Sequence, residues 1–392
     1  MMKSFLSLLG VLLFAVSSHV GATSIEGKYT PKDGKTLLII GQELSALRGY
    51  KESLCCPTPG GVTTYLGIYA LDKDDLFFGG LGLDNELKVD TREADWGGGP
   101  SNAITTINLF PESSLAIGLS LTEDYTKHGL ERLAKGEFDH NIAKLAELIK
   151  HHSQPVFVRV GYEFDGAWNK GYGNVAQYIA AYRHVADQLR SHKANNAVFV
   201  WQSASSPADD YIDGGVEDAL RYYPGDDYVD WMAISWFLTP DQQGANKDIP
   251  STQKSLANEI VNFARDRKKP VMIAESSPQG FHIGDLYHAN IGVVIDGPSG
   301  ENKTSVTPEY IWNTWYVPYF DYIESNRDVI RAVAYINTDW DSQPMWGKPY
   351  HSGFWGDSRV QANSYILEKW LAQISQPQWL HGGAELTSSL NH

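Results

Sequence analysis

Residues 155–169 read PVFVRVGYEFDGAWN. The stretch begins as an apolar, β-branched run interrupted once by Arg159, passes through Gly161 to Tyr162 and Glu163, and sets an indole, Trp168, five residues beyond the glutamate. A run this apolar fits a strand covered on both faces, as in a parallel sheet. Its glutamate then stands at the carboxyl end of the strand, where such sheets carry their chemistry.

Seven similar runs can be placed on either side: TLLIIGQ (36–42), LFFGGLGL (76–83), SLAIGLSL (114–121), AVFVWQS (197–203), VDWMAISWF (229–237), PVMIAES (270–276) and VIRAVAYIN (329–337). Between them lie stretches with helical periodicity, among them 137–152, 174–192, 251–267 and 308–325. Strands alternating with amphipathic helices imply a parallel sheet wrapped in helices, and eight such units predict a single (β/α)8 TIM barrel. The second run is glycine-rich and reads equally as a loop.

The barrel is expected over 23–376. Residues 1–22 have the order of a secretory signal: Lys3, the apolar run FLSLLGVLLFAV, then small residues up to Ala22. Residues 377–392 read as a loosely ordered tail. An exported chain, secreted or periplasmic, is the expectation, with no membrane span, because no later run approaches the roughly 18 apolar residues that crossing requires.

The chain of 392 residues carries a formal charge of -15, which becomes -16 once Lys3 is removed with the leader. Nucleic acid is not an expected partner, since its recognition needs a basic surface. Cys55 and Cys56 are adjacent and supply no disulfide framework, though a bridge between neighbours is conceivable in an oxidising compartment. Twelve Trp and 21 Tyr are many for this length, and flat aromatic faces stack on sugar rings as well as filling cores.

Glu163 follows the fourth run and Glu275 ends the seventh. Two carboxylates at strand ends facing one barrel mouth are the equipment of a glycosidase: one protonates the leaving oxygen and the other attacks the anomeric carbon. If Glu163 points inward, strand alternation places Gly161, Arg159 and Phe157 on its face. Arg159 then lies beneath the carboxylates, where a buried cation keeps one of them ionised while the other needs a raised pKa to hold its proton.

On these residues the chain resembles clan A glycoside hydrolases, and more narrowly glycoside hydrolase family 26. The family's motif around the acid/base runs arginine, three residues, glutamate, two residues, glycine, one residue, tryptophan; Arg159, Glu163, Gly166 and Trp168 occupy those places. The likeness continues through 178–190, 198–205, 222–237 and 269–277. It implies retaining cleavage of a β-linked polysaccharide, with Glu163 as acid/base and Glu275 as nucleophile. The chain departs from the family at Tyr162, where a histidine is usual, and at the end of strand six, where Trp236 and Phe237 replace an aromatic hydroxyl. Those positions read the sugar, so the substrate stays open between mannan, β-glucan or xylan, and an algal galactan such as agar or carrageenan.

Trp168, Trp201, Trp236 and Trp340 follow or end predicted strands and are candidate sugar platforms. Asp165, Asn169 and Gln202 are candidate partners for sugar hydroxyls, with helix caps or loop staples as the competing reading. Arg48, Lys51, Arg92, Lys170 and Lys348 fall near predicted mouth loops and could meet a sulfated chain. Loops 42–62, 84–102, 238–250 and 280–307 would wall a cleft, which favours endo over exo cleavage of an oligo- or polysaccharide.

Two rivals remain. A metal-dependent barrel hydrolase would need clustered His and Asp at an early strand end, and TLLIIGQELSALRG has no histidine, while His151 and His152 end a helix. A non-catalytic carbohydrate-binding barrel would be expected to have lost its glutamates. No cofactor or metal and no obligate partner subunit are expected, so the chain is read as a monomer.

Overall fold

The computed structural model describes residues 24–53, 57–72, 79–123, 126–208 and 216–391. The leader 1–22 and the pair Cys55, Cys56 lie outside the described residues.

Eight parallel strands close on themselves: β1 Thr36–Gly41, β2 Gly61–Gly67, β3 Ser114–Ser120, β4 Val156–Val160, β5 Ala197–Ser203, β6 Trp231–Trp236, β7 Val271–Ser276 and β8 Ile330–Ile336, with β8 pairing back to β1. Every residue of these strands is buried, as expected of a sheet filled inside and covered by helices outside. The (β/α)8 barrel is therefore the fold.

Seven strands lie where the sequence predicts them and one does not. The second is GVTTYLG, 61–67, while residues 79–83 run as a loop with a single bridge from Leu83 to Val89 and residues 76–78 lie outside the described set. The reason is compositional. Thr63, Thr64 and Tyr65 favour a strand, but the flanking glycines give the run the look of a turn.

The predicted helices appear as Asp139–His151, Val175–Ser191 and Gln253–Asp266. Two start on side chains that supply the missing hydrogen-bond partners: Asn174 accepts from the Gln177 amide, and Thr252 forms a reciprocal capping box with Ser255. The segment 308–325 is one helical rod with a π turn at Trp312–Tyr316.

The interior is a stack of alternate strand residues: Leu37, Ile39, Ala116, Phe157, Val198, Val200, Trp231, Ala233, Met272, Ala274, Ala332 and Ala334. Its lower end is closed by the C-terminus, which corrects the expectation of a loose tail. Trp379 and Leu380 pair with β1, and Leu380, Leu386 and Leu390 join the interior cluster. Leaving three leucines in water would forgo roughly 1.5–3 kcal/mol of burial for each.

One row across the sheet prepares the site above this stack. Tyr65 of β2 pairs with Gly118 of β3, which pairs with Arg159 of β4. A Cβ on Gly118 would lie 2.5 Å from the Tyr65 ring and 2.8 Å from an Arg159 guanidinium nitrogen, so a glycine between them lets the cation settle against the ring. Gly118→Ala is expected to destabilise the fold by about 1–3 kcal/mol through overpacking, measured by denaturant unfolding, with activity falling as Arg159 is displaced.

Candidate active site

Arg159 is fully buried, and its Nη1 donates to Glu275 Oε1 at 2.5 Å and to Gln202 Oε1 at 2.9 Å. The Tyr65 and Tyr162 rings flank the guanidinium, with centroids 4.9 and 5.1 Å from its carbon. Aromatic faces suit a desolvated cation, and the carboxylate compensates its charge. Arg159 and Glu275 thus form an ion pair at the floor of the mouth.

Glu275 reaches that floor through an irregularity. Met272 and Ala274 already face the interior, so simple alternation would turn Glu275 outward toward the helices. The register between β6 and β7 slips after Ile234–Ile273, so that Ser235 pairs with Glu275. This bulge restores Glu275 to the inner face and sends Ser276 outward, where its hydroxyl meets Tyr319 Oη at 2.7 Å.

Glu163 arrives differently. Strand β4 stops at Val160, and Gly161 and Glu163 both take left-handed conformations, φ 55° and 50°. For a glutamate that backbone is costly and is held by its surroundings. Asn169 Nδ2 donates to the Glu163 carbonyl at 2.6 Å, and the Gly166 amide donates to the same oxygen at 2.9 Å. Asp165 accepts from Ser203 Oγ at 2.5 Å and from the Ala204 amide at 2.7 Å, tying the turn to the end of β5.

The carboxyl group of Glu163 is buried and accepts from Ser235 Oγ at 2.7 Å on Oε1 and from Trp168 Nε1 at 3.1 Å on Oε2. Gly166 permits the second contact. A Cβ there would lie 2.6 Å from the Trp168 ring, so only a glycine lets the indole fold back over the turn. Burial first, then the charge of Glu275, pushes the Glu163 pKa up to about 8, against the smaller downward pull of the Ser235 and Trp168 hydrogen bonds. Burial and Glu275 likewise hold the Tyr162 hydroxyl well above its usual range.

Gln202 joins the two glutamates: its Nε2 donates to Ser235 Oγ at 3.1 Å and approaches Glu275 Oε1 at 3.4 Å. Glu163, Glu275, Arg159, Tyr162, Gln202 and Trp168 are therefore brought together. Trp168 is the exposed member, 48% accessible.

The other predicted residues are placed elsewhere or act otherwise. Trp201 and Trp236 are completely buried in the layer between sheet and helices, Trp201 stacked on Phe164 at 4.6 Å and Trp236 against Tyr322 at 4.5 Å, which corrects their reading as sugar platforms. Alternation explains this, since Gln202 and Ser235 face inward and the neighbouring tryptophans must face outward. Trp340 is also buried, its indole donating to Ser358 Oγ at 3.1 Å; the half-buried Trp355 stacks on it at 4.7 Å and meets Phe237 at 4.8 Å. Asp165 and Asn169 serve the turn with the atoms just described.

Sequence reading missed Tyr65, Ser235, Trp96 and Trp355. Tyr65 was hidden by the misplaced second strand, whereas Ser235 was available from alternation along β6. Trp96 lies 6.1 Å from Tyr65 in the short ribbon Ala94–Asp95, Pro100–Ser101.

Three of the candidate cations are already engaged. Arg48 pairs with Glu93 at 2.6 Å, Arg92 pairs with Asp90 at 2.6 Å, and Lys51 donates to the Leu109 carbonyl over the Phe110 ring, beside the lower rim of the barrel. Among the described residues, His282, Asp339 and Asp357 bring possible ligand atoms within 4.8 Å of one another, but Arg359 already holds both aspartates, at 3.2 and 2.8 Å.

A TIM barrel carrying a carboxyl pair of unlike surroundings above strands four and seven is the architecture of a glycoside hydrolase. The comparisons agree. Residues 121–268 match the model of glycosyl hydrolase family 26. A β-1,3-xylanase of Alcaligenes sp is 33% identical over 379 residues, covering 96% of this chain and 70% of that protein. The β-1,3-xylanase TXYA of Vibrio sp is 34% identical over 372 residues, covering 95% and 71%. In fold, the chain is similar to an endo-β-1,4-mannanase of Cellulomonas fimi, with a TM-score of 0.55 and 13% identity over 95% of this chain and 80% of that one. The chain belongs to glycoside hydrolase family 26.

Two outcomes test this electrostatic account. Arg159→Met, which strands Glu275 without its cation, is expected to cost about 3–5 kcal/mol of unfolding free energy, and adding Glu275→Gln is expected to recover part of it in a double-mutant cycle. Because the Glu163 pKa is raised from 4.5 to about 8, the folded state keeps a proton that the unfolded chain has released across that interval. This group's contribution is complete below the lower value and is lost as pH rises through the upper one. Glu163→Gln is expected to flatten the fall in stability between those two values, measured by urea unfolding at several pH values.

Proposed function

We propose that this protein is a retaining endo-β-1,3-xylanase acting by double displacement, with Glu163 as acid/base and Glu275 as nucleophile. The observation that carries the mechanism is the contrast between the carboxyl groups. Glu275 is paired with a buried guanidinium, while Glu163 is buried against serine and indole with its pKa raised to about 8. An attacking carboxylate benefits from a cation that orients it. A general acid must carry a proton near neutral pH.

In the first step Glu275 bonds to the anomeric carbon while the Glu163 proton passes to the leaving glycosidic oxygen. In the second, the Glu163 carboxylate takes a proton from water, which attacks the same carbon and releases Glu275. Trp96, Trp168 and the partly exposed Tyr162 would offer the sugar aromatic surface, with Tyr65 buried beneath them.

The substrate rests on the two β-1,3-xylanases, whose identity runs over nearly the whole chain, whereas likeness to the mannanases is one of fold. Tyr162 in place of the histidine usual in the family fits a different sugar at the reacting subsite. A sulfated galactan fits less well, since Arg48 and Arg92 are engaged by carboxylates. Endo action is supported by the ordered ribbon above β7, where Phe281–His282, Tyr287–His288 and Thr304–Ser305 form a small sheet with Gly356–Asp357 that would wall a cleft. Export is supported by the order of residues 1–22.

Reducing-end release from β-1,3-xylan, β-1,4-xylan, mannan, mixed-linkage and β-1,3-glucan, agarose and carrageenan tests the reading. Release of oligosaccharides from β-1,3-xylan is expected, with loss by several orders of magnitude in Glu275→Ala. Release from mannan alone would overturn the substrate, and near wild-type turnover by the variant would overturn the mechanism.

A further inference from the structure

Ser235 joins the hydrogen bonds of the two glutamates, and its surroundings fix the direction in which its proton points. Arginine can only donate, so Gln202 must present its amide oxygen to Arg159 Nη1, at 2.9 Å. That turns the amide nitrogen toward Ser235 Oγ at 3.1 Å and Glu275 Oε1 at 3.4 Å. An amide nitrogen also only donates, so Ser235 Oγ accepts there and its one proton is committed to Glu163 Oε1, at 2.7 Å. The donor series therefore runs one way, from Arg159 through Gln202 and Ser235 to Glu163.

We propose that Ser235 is a positioning residue that selects which oxygen of Glu163 carries the catalytic proton. A proton on Oε1 would take that acceptor away from the Ser235 hydroxyl, which would have to turn its own proton out of a short, buried contact. Oε2 meets only the indole of the exposed Trp168, at 3.1 Å, a longer contact on a side chain with room to adjust. The proton is accordingly held on Oε2, on the Trp168 side of the carboxyl group. The leaving glycosidic oxygen takes it from that side as the bond from Glu275 to the anomeric carbon forms. Ser235 itself neither touches the sugar nor exchanges its proton.

The same bond tunes the acid. Glu163 is faced by Glu275 from β7, by Arg159 from β4, by Tyr65 from β2, and by Tyr162 and Asp165 from its own turn. Burial and the two carboxylates raise its pKa, and the Ser235 hydrogen bond opposes them. Removing the hydroxyl is expected to move the alkaline limb of the pH–rate profile upward by about one pH unit.

The inference rests on the acid/base role proposed above for Glu163, and the test separates the two. Ser235→Ala, Ser235→Thr and Glu163→Ala are assayed on a β-1,3-xylooligosaccharide, whose departure needs an acid, and on a 2,4-dinitrophenyl β-1,3-xylobioside, whose departure does not. For Ser235→Ala, kcat/KM is expected to fall about 10- to 100-fold on the oligosaccharide and to change little on the aryl glycoside, with the alkaline limb displaced. Ser235→Thr, which keeps the hydroxyl, is expected to restore both the rate and the limb.

Equal losses on both substrates with an unmoved limb would overturn the inference and leave Ser235 as packing. If Glu163→Ala loses both substrates equally and azide does not restore the aryl glycoside, the acid/base assignment itself fails. A substrate-free arm follows the indole 1H–15N resonance of Trp168 against pH in the full chain. It is expected to titrate with Glu163 in the wild type and at higher pH in Ser235→Ala. An unchanged titration would overturn the inference even if neither substrate is turned over.

Discussion

The structure of the mouth depends on placing one guanidinium, Arg159, where water cannot reach it. An isolated cation in that position would be prohibitively costly, so the site is arranged around its compensation. Glu275 supplies the opposite charge, Gln202 an oxygen acceptor, and Tyr65 and Tyr162 their ring faces. Gly118 supplies the space. Most of these contributions come from distant parts of the chain, and closure of the barrel gathers them around Arg159.

From that requirement the differentiation of the two glutamates follows. Glu275 spends its charge on Arg159, and the resulting pair presents a carboxylate oriented from below. Glu163 has no cation in its hydrogen-bond shell; it is met by a serine, an indole and the field of Glu275. Burial without a counter-ion favours its neutral form. Two identical side chains thus acquire different environments from their surroundings alone, with Gln202 and Ser235 linking one to the other by hydrogen bonds.

The local irregularities serve the same end. A regular β7 would aim Glu275 at the helices, and a regular β4 would carry Glu163 past the turn that now holds it. The bulge opposite Ser235 and the left-handed backbone at Glu163 both cost local stability. They are maintained by the hydrogen bond that Asn169 donates, those that Asp165 accepts, and the pairing of the strand neighbours. Strain collects at the mouth because the regular barrel beneath it, plugged by Leu380, Leu386 and Leu390, supplies the rigidity to hold it.

Much of this was legible in the residues. The spacing of apolar runs showed a barrel, because a strand buried on both faces must be apolar throughout. The motif from Arg159 to Trp168 marked the turn that carries Glu163, and Glu275 stood at the end of a run that the structure also makes a strand. Alternation along β5 and β6 would also have sent Trp201 and Trp236 outward and brought Gln202 and Ser235 inward. Other features depend on residues distant in the chain. The second strand, GVTTYLG, looks like a turn until β1 and β3 stand on either side of it. The inward aim of Glu275 needs a slip of register that no single strand records. The sequence by itself determined which elements form and which carboxylates stand at their ends, since both follow from local pattern. The tertiary structure decided which side chains share the mouth and that the Glu163 pKa is raised, because burial and the nearness of other charges exist only once the barrel has closed.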